Sequence, residues 1–289
     1  MSIILIFILI FILLFIFISF GNQLQPCDQQ VIQLQSFDPQ QSSEPQQSSE
    51  LQQSSELQQS SDLHQVKKEY TAIIIEPREH KALSFVLENF LENLSDDWTI
   101  IVFHGNKNEL FVKKIISEDL KKHTARIVLY NLNVDNLTLG DYNNLLVDPL
   151  FYNNIPTETF LIFQTDTVIC DNFNNTVDDY LDYDYVGAPW PWSEQGGNGG
   201  LSLRKKSKML EIIKKCPYDG VMPEDVYFSS SCIKTKFPDK SHSKFFSNEQ
   251  IYTSYSFGTH KPWNHLQKNE LDQKITKCHP LQKLIELNR

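Results

Sequence analysis

Apolar and polar positions divide the chain into three regimes. Ile3 to Phe20 is an unbroken uncharged run, interrupted only by Ser19. Residues 21–65 then thin out to little more than one large apolar residue in six. From residue 66 onward, short apolar runs alternate with stretches of helical period. Residues 71–75 predict a strand that ends in Glu76-Pro77-Arg78. Leu83, Val86, Leu87, Phe90, Leu91 and Leu94 then form one stripe, which predicts a helix over 80–94. A strand over 98–104, a helix over 108–122 and a strand over 125–130 follow. Asp141 is placed to cap a short helix running to Leu146. Residues 159–164 predict the central strand, and the run stops at a carboxylate, Asp166. Strands alternating with helices predict an α/β fold with a mostly parallel sheet covered on both faces.

After Asp166 the pattern changes. Residues 178–186 are acidic and aromatic, and Gly187-Ala188-Pro189-Trp190-Pro191-Trp192 leads to a cluster of Gly196, Gly197, Gly199 and Gly200. Helices are predicted over 207–215, over 224–231 behind Pro223, and over 280–288. Residues 257–263 carry Gly258 and Pro262 and predict a loop. With no second linker, residues 66–289 are expected to form one domain.

The first two regimes imply an anchored protein. A helix over Ile3–Phe20 would span ~27 Å, enough for a bilayer core. A signal peptide would need a basic start and a small-residue cleavage site. Met1-Ser2 and Ser19-Phe20-Gly21 supply neither, so residues 1–20 are expected to be a retained transmembrane anchor. Residues 40–63 repeat a hexapeptide, QQSSEP, QQSSEL, QQSSEL and QQSSDL. Gln, Ser and Glu cannot bury enough surface to offset chain entropy, so 21–65 is expected to be a disordered stalk.

Charge narrows the partners. The chain of 289 residues has a formal charge of −10, and residues 1–65 hold six acids and no Lys or Arg. A near-neutral body argues against a nucleic-acid partner, which needs a basic footprint.

Three places carry candidate chemistry. In an open α/β sheet, ligands bind beyond the carboxyl ends of the strands, so Asp166 either caps a turn or ligates. The glycine cluster with Asn198 admits backbone close to a ligand or forms an ordinary tight turn. It lacks the Gly-Lys-Ser/Thr of a phosphate loop. Glu224 and Asp225 at a helix start either cap free N–H groups or serve as a general base aimed at a hydroxyl. His260 becomes interesting as a partner of Asp166, since imidazole with carboxylate and phosphate oxygens suits Mn²⁺.

FLIFQTD, DYVGAPW, GNGGLSLR, PEDVYF and FGTHKPW occur in that order. Together they resemble a family of uncharacterised glycosyltransferase-like proteins whose domain looks like the GT-A nucleotide-sugar transferase fold. The likeness covers roughly residues 70–265. The Glu224-Asp225-Val226-Tyr227 element is also similar to that of β-1,3-galactosyltransferase-type enzymes. The resemblance implies a single GT-A-like Rossmann-type domain. It makes Asp166 the last residue of a DxD metal motif that here reads Gln164-Thr165-Asp166, without its first acid. His260 would be a second ligand for Mn²⁺ or Mg²⁺. Glu76 and Arg78 would border the nucleotide, and Asn198, Gly199 and Gly200 would line the sugar or acceptor. Asp225 would be the inverting base and Glu224 an acceptor-binding partner. Trp190 and Trp192 would stack on a sugar face.

The function so implied is transfer of a sugar from a nucleotide-sugar donor to a glycan, protein or lipid acceptor. The rival is a non-catalytic glycan- or nucleotide-sugar-binding protein, which the missing acid at Gln164 favours. A type II orientation would put the body in the secretory lumen, or on a host membrane if the source is viral. The four body cysteines, Cys170, Cys216, Cys232 and Cys278, allow three pairings. Asn93, Asn136 and Asn174 begin glycosylation sequons that a lumenal body would expose to modification.

Overall fold

The computed structural model describes residues 69–171 and 176–289. The expected anchor (1–20) and stalk (21–65) lie outside the described residues. Among the described residues no helix is long and apolar enough to cross a membrane.

Four strands build the parallel part of a six-stranded sheet: β1 (Tyr70–Ile75), β2 (Trp98–His104), β3 (Ile127–Asn131) and β4 (Thr159–Ile162), in the order β3-β2-β1-β4. The register puts Ile73 opposite Ile101 on one side and Ile162 on the other. Side chains alternate across the strands, and both faces are buried. Ala72, Ile74, Ile100, Val102 and Leu161 pack into one core layer with α1 (Leu83–Asn93) and α2 (Glu109–Glu118). Ile73, Ile75, Ile101, Phe103, Phe160 and Ile162 pack into the other, against α4 (Lys206–Lys215) and α5 (Glu224–Ser229). That double burial explains why these strands are continuous apolar runs in the sequence.

The sheet is mixed beyond β4. There, β7 (Asn198–Lys205) pairs antiparallel with β4, Ile162 opposite Ser202, and β6 (Tyr185–Ala188) pairs antiparallel with β7. The glycine cluster therefore opens a strand. The loop expected over 257–263 likewise contains β9 (Gly258–His260). This strand joins β5 (Thr167–Ile169) and β8 (Ser247–Asn248) in a second sheet ordered β5-β9-β8. Short strands rich in Gly, Thr and Ser carry no apolar alternation, which is why the sequence did not announce them.

Other boundaries also move. Residues 125–126 belong to a 3-10 turn, and β3 starts at Ile127. Thr138 caps α3 (Leu139–Val147), while Asp141 completes a capping box from the third helical position. Helix α6 (Lys240–Phe246) and helix α7 (Lys268–Lys277) precede the C-terminal α8 (Pro280–Leu287). Of the three possible cysteine pairings, the fold makes Cys170–Cys278 and Cys216–Cys232.

Candidate active site

The parallel strands all end at one edge of the sheet, and the antiparallel β7 begins there. This opposition of direction brings the segment after β1, the segment after β4 and the start of β7 to the same place. Helix α5 and the end of β9 close the sides. The result is a pocket of about 360 Å³ whose walls include Glu76, Arg78, Asp166, Asn198, Gly199, Gly200, Glu224, Asp225 and His260. The size is that of a small-ligand site.

Glu76 and Arg78 form a rigid rim. Arg78 donates through Nε and Nη2 to the two Glu76 carboxylate oxygens at 2.7 and 2.8 Å. Buried Asn108 donates to the carbonyls of both residues at 2.8 and 2.9 Å and accepts from Gly105 N–H, which pins the segment.

Glu224 lies on the pocket wall and is anchored from within the fold. Its carboxylate is held by Arg204 in a bidentate pair, Nη1 to Oε2 at 2.7 Å and Nη2 to Oε1 at 3.0 Å. Arg204 is fully buried, its Nε donates to Ser202 Oγ, and its guanidinium lies over Tyr185 and Phe228. Burial opposes the Arg204 charge, but Glu224 and Tyr185 outweigh it and hold the guanidinium protonated. A buried Arg requires such a partner, so Glu224 serves the fold as well as lining the pocket. A Cβ at Gly199 would collide with the Glu224 carboxylate, so only glycine fits above the pair.

Asp225 is held by the backbone instead. Its Oδ2 accepts from Gly199 N–H at 3.0 Å and its Oδ1 from Val226 N–H at 2.8 Å. Each oxygen keeps a lone pair. The two acids of the pair thus share the pocket wall with different partners, Arg204 for Glu224 and backbone N–H groups for Asp225.

Asp166 lies in the turn between β4 and β5, and Thr167 pairs opposite His260. Asp166 Oδ1 and His260 Nε2 are 3.2 Å apart, yet neither atom has a hydrogen-bond partner. Burial pushes the Asp166 carboxyl up, but His260 and Lys261 outweigh it and leave it below the usual range. Burial pushes the imidazole down, but Asp166 and Glu249 outweigh it and raise it. A Cβ at Gly200 would strike the His260 ring, so this glycine makes room for the imidazole. Among the described residues no group of three or more His, Cys, Asp or Glu is arranged to hold a metal. Gln164, in place of the first DxD acid, donates to the Tyr142 hydroxyl at 3.1 Å.

Trp190 is not part of the pocket wall. It is buried and stacked on Trp192, ring centroids 4.6 Å apart, with Trp192 65% exposed. Its faces are occupied by packing, so the expected stacking of Trp190 on a sugar at this pocket has no geometric basis.

Several wall or support residues were not singled out from the sequence. Lys261 lies 3.9 Å from Asp166 Oδ2 and has φ 29°, a left-handed backbone before Pro262. Its place in GTHKPW beside His260 was a usable signal. Arg204 closes the GNGGLSLR motif, which was a signal of the same kind, whereas Glu249 had none, since nothing local marks that charge for burial.

A family model described as "Protein of unknown function (DUF5672)" matches residues 129–262. No curated protein matches the chain. Solved structures give low-scoring likenesses. The galactosyltransferase LgtC, in complex with donor and acceptor sugar analogs, matches at TM-score 0.44 and 9% identity, over 75% of this chain and 94% of that one. The mannosyltransferase PcManGT from Pyrobaculum calidifontis, in complex with GDP-Man and Mn²⁺, matches at 0.40 and 13%, over 56% and 51%. HddC from Yersinia pseudotuberculosis matches at 0.35 and 13%, over 49% and 79%. Scores at this level carry neither a substrate nor a mechanism to this chain.

Proposed function

We propose that the body, residues 66–289, is a metal-dependent glycosyltransferase of GT-A type that moves a sugar from a nucleotide-sugar donor to an acceptor hydroxyl with inversion. One observation carries this reading. Four of the five ordered motifs, FLIFQTD, GNGGLSLR, PEDVYF and FGTHKPW, deliver residues from distant parts of the chain to a single pocket at the carboxyl edge of the parallel strands, where Glu76 and Arg78 after β1 join them.

The cation reading rests on Asp166 Oδ1 and His260 Nε2. They face each other at ion-pair distance without a hydrogen bond, which fits two donors to one divalent ion. Two protein ligands leave the other positions to donor phosphate oxygens, the arrangement usual for Mg²⁺-type sites. When bound, the ion offsets charge on the departing diphosphate. Asp225 then removes the proton of the acceptor hydroxyl as that oxygen bonds the anomeric carbon and the bond to the diphosphate breaks. Gly199 N–H orients the Asp225 carboxylate. Arg78 and Lys261 add positive charge where the diphosphate would lie.

The second reading, a binding protein without turnover, draws on Gln164, which leaves the site one acid short. A panel of nucleotide sugars with Mn²⁺ separates the two. Ligand-induced thermal shift together with acceptor-dependent release of nucleoside diphosphate supports transfer. Thermal shift without any release supports binding alone. No shift with any donor defeats both.

For location, the reading is a type II protein with its body in the secretory lumen. Two disulfides support it, because such bonds persist in oxidising compartments. Retention in the membrane pellet after carbonate extraction is expected, and release into the soluble fraction would overturn it.

A further inference from the structure

The small second sheet places a third polar side chain beside the candidate cation ligands. Strand β9 runs between β5 and β8. Thr167 of β5 lies opposite His260, and Asn248 of β8 lies opposite Thr259. The residue before β5 is Asp166 and the residue after β8 is Glu249. The register therefore sets Glu249 beside His260 on one side and Thr167 on the other, with Asp166 one residue further along, opposite Lys261 and diagonal to His260. His260 Nε2 addresses Asp166 at 3.2 Å on the pocket side, and Nδ1 addresses Glu249 Oε1 at 3.3 Å on the interior side. The side chains of Glu249 and His260 are each 1% exposed. Glu249 has a further imidazole neighbour, His265 Nε2 at 3.6 Å, and its Oε2 has no hydrogen-bond partner.

A buried acid with no buried Lys or Arg in ion-pair contact, set against the far nitrogen of an imidazole, is poorly explained as a stabilising device. It is well explained as an orienting one. An imidazole that ligates through one nitrogen needs its other N–H held by an acceptor, which fixes ring orientation and tautomer and raises ligand basicity. Gly200 holds the ring from the other side.

We infer that Glu249 is a positioning residue for His260: its carboxylate, 3.3 Å from Nδ1, holds that side of the ring by charge, turns the Nε2 lone pair into the pocket, and so sets the cation affinity of the Asp166–His260 pair. This inference rests on the reading of those two residues as cation ligands. Sequence patterning had no access to it, because Glu249 lies in Ser247-Asn248-Glu249-Gln250, a stretch without periodicity.

The test is Mn²⁺ binding by the full-length chain in detergent, followed by electron paramagnetic resonance, alone and with inorganic pyrophosphate standing in for the donor diphosphate. Wild type is expected to bind Mn²⁺ and to show imidazole nitrogen coupling to the bound ion. Glu249→Gln is expected to weaken Mn²⁺ about 10–100-fold and to reduce that coupling while Tm stays near wild type. Glu249→Asp, which keeps the charge, is expected to recover part of the loss. Wild-type affinity and coupling in a folded Glu249→Gln variant would overturn the positioning role and leave the cation site standing. Absence of Mn²⁺ binding by wild type under both conditions would overturn the cation site itself, and this role with it. Failure of both variants to fold would make Glu249 a stability residue and also overturn the inference.

Discussion

Two buried charged groups flank the same pocket, and they are built on opposite plans. On the α5 side, Arg204 and Glu224 satisfy each other in a bidentate pair, with Ser202 on the remaining nitrogen and two aromatic rings below. On the β9 side, Asp166, His260 and Glu249 stand within ion-pair distance, yet Asp166 Oδ1, both imidazole nitrogens and Glu249 Oε2 make no hydrogen bond. Native interiors rarely leave buried polar atoms unpaired. The bidentate pair fixes Glu224 in place while each of its oxygens keeps a lone pair. An unsaturated group bears a standing cost that a bound cation would relieve. The difference separates a carboxylate held in a finished pair from groups still short of partners. Proximity to the pocket alone would not have done so.

Asp225 sits between the two plans, and its replacement should have the largest effect. Asp225→Asn keeps shape and can still accept one N–H but takes no proton. Transfer should fall by about 10²–10⁴-fold while donor-induced thermal shift persists. Transfer near wild type would remove the base from Asp225 and favour a retaining mechanism. Glu224→Gln tests the saturated side. Breaking a buried pair strands the Arg204 charge and should cost about 3–5 kcal/mol in urea unfolding. A selective rise in acceptor KM at unchanged stability would give Glu224 an acceptor-binding role without a structural one and erase the contrast.

Asp166→Asn tests the unsaturated side. Stability should fall by no more than about 1 kcal/mol, the worth of ion pairs from a partly exposed carboxylate to His260 and Lys261. Mn²⁺-dependent thermal shift by nucleotide sugars should weaken about tenfold or more. Unchanged shift in EDTA would count against the cation site.

Lys274 offers a third, smaller case. It is buried and donates to Ser256 Oγ at 2.6 Å, with no acid at ion-pair distance among the described residues. Burial pushes its pKa down to about 7. The unfolded chain then holds this proton more tightly than the native state, so wild-type stability should rise from about pH 7 towards the ordinary lysine range near 10.4. Lys274→Met should therefore raise Tm by a few degrees at pH 6, worth about 1–3 kcal/mol. Its advantage should shrink by pH 10. A constant advantage across that range would show that packing, not charge burial, sets the effect.

Much of the scaffold was legible in the chain. Strands buried on both faces must be continuous apolar runs, and helices packed on one face must repeat every three to four residues. Those constraints placed β1, β2, β4, α1 and the carboxylate at the end of β4. The same rules could not see β7 or β9. Their Gly, Ser, Thr and His positions are held by neighbours distant in sequence. Nor could they divide Glu224 from Asp225, adjacent acids of one motif to which the fold gives different partners.

By itself, then, the sequence determined the parallel half of the sheet, the order of the motifs and the chemical types available at their ends. Local spacing encodes those directly. The tertiary structure alone decided which charges are paired and which are unsatisfied. Saturation depends on partners brought from elsewhere: Arg204, 20 residues from Glu224, and Glu249, which the pairing of β8 with β9 sets beside His260. A side chain's chemistry is written in its residue type, but its availability is set by what the fold places within three ångströms of it.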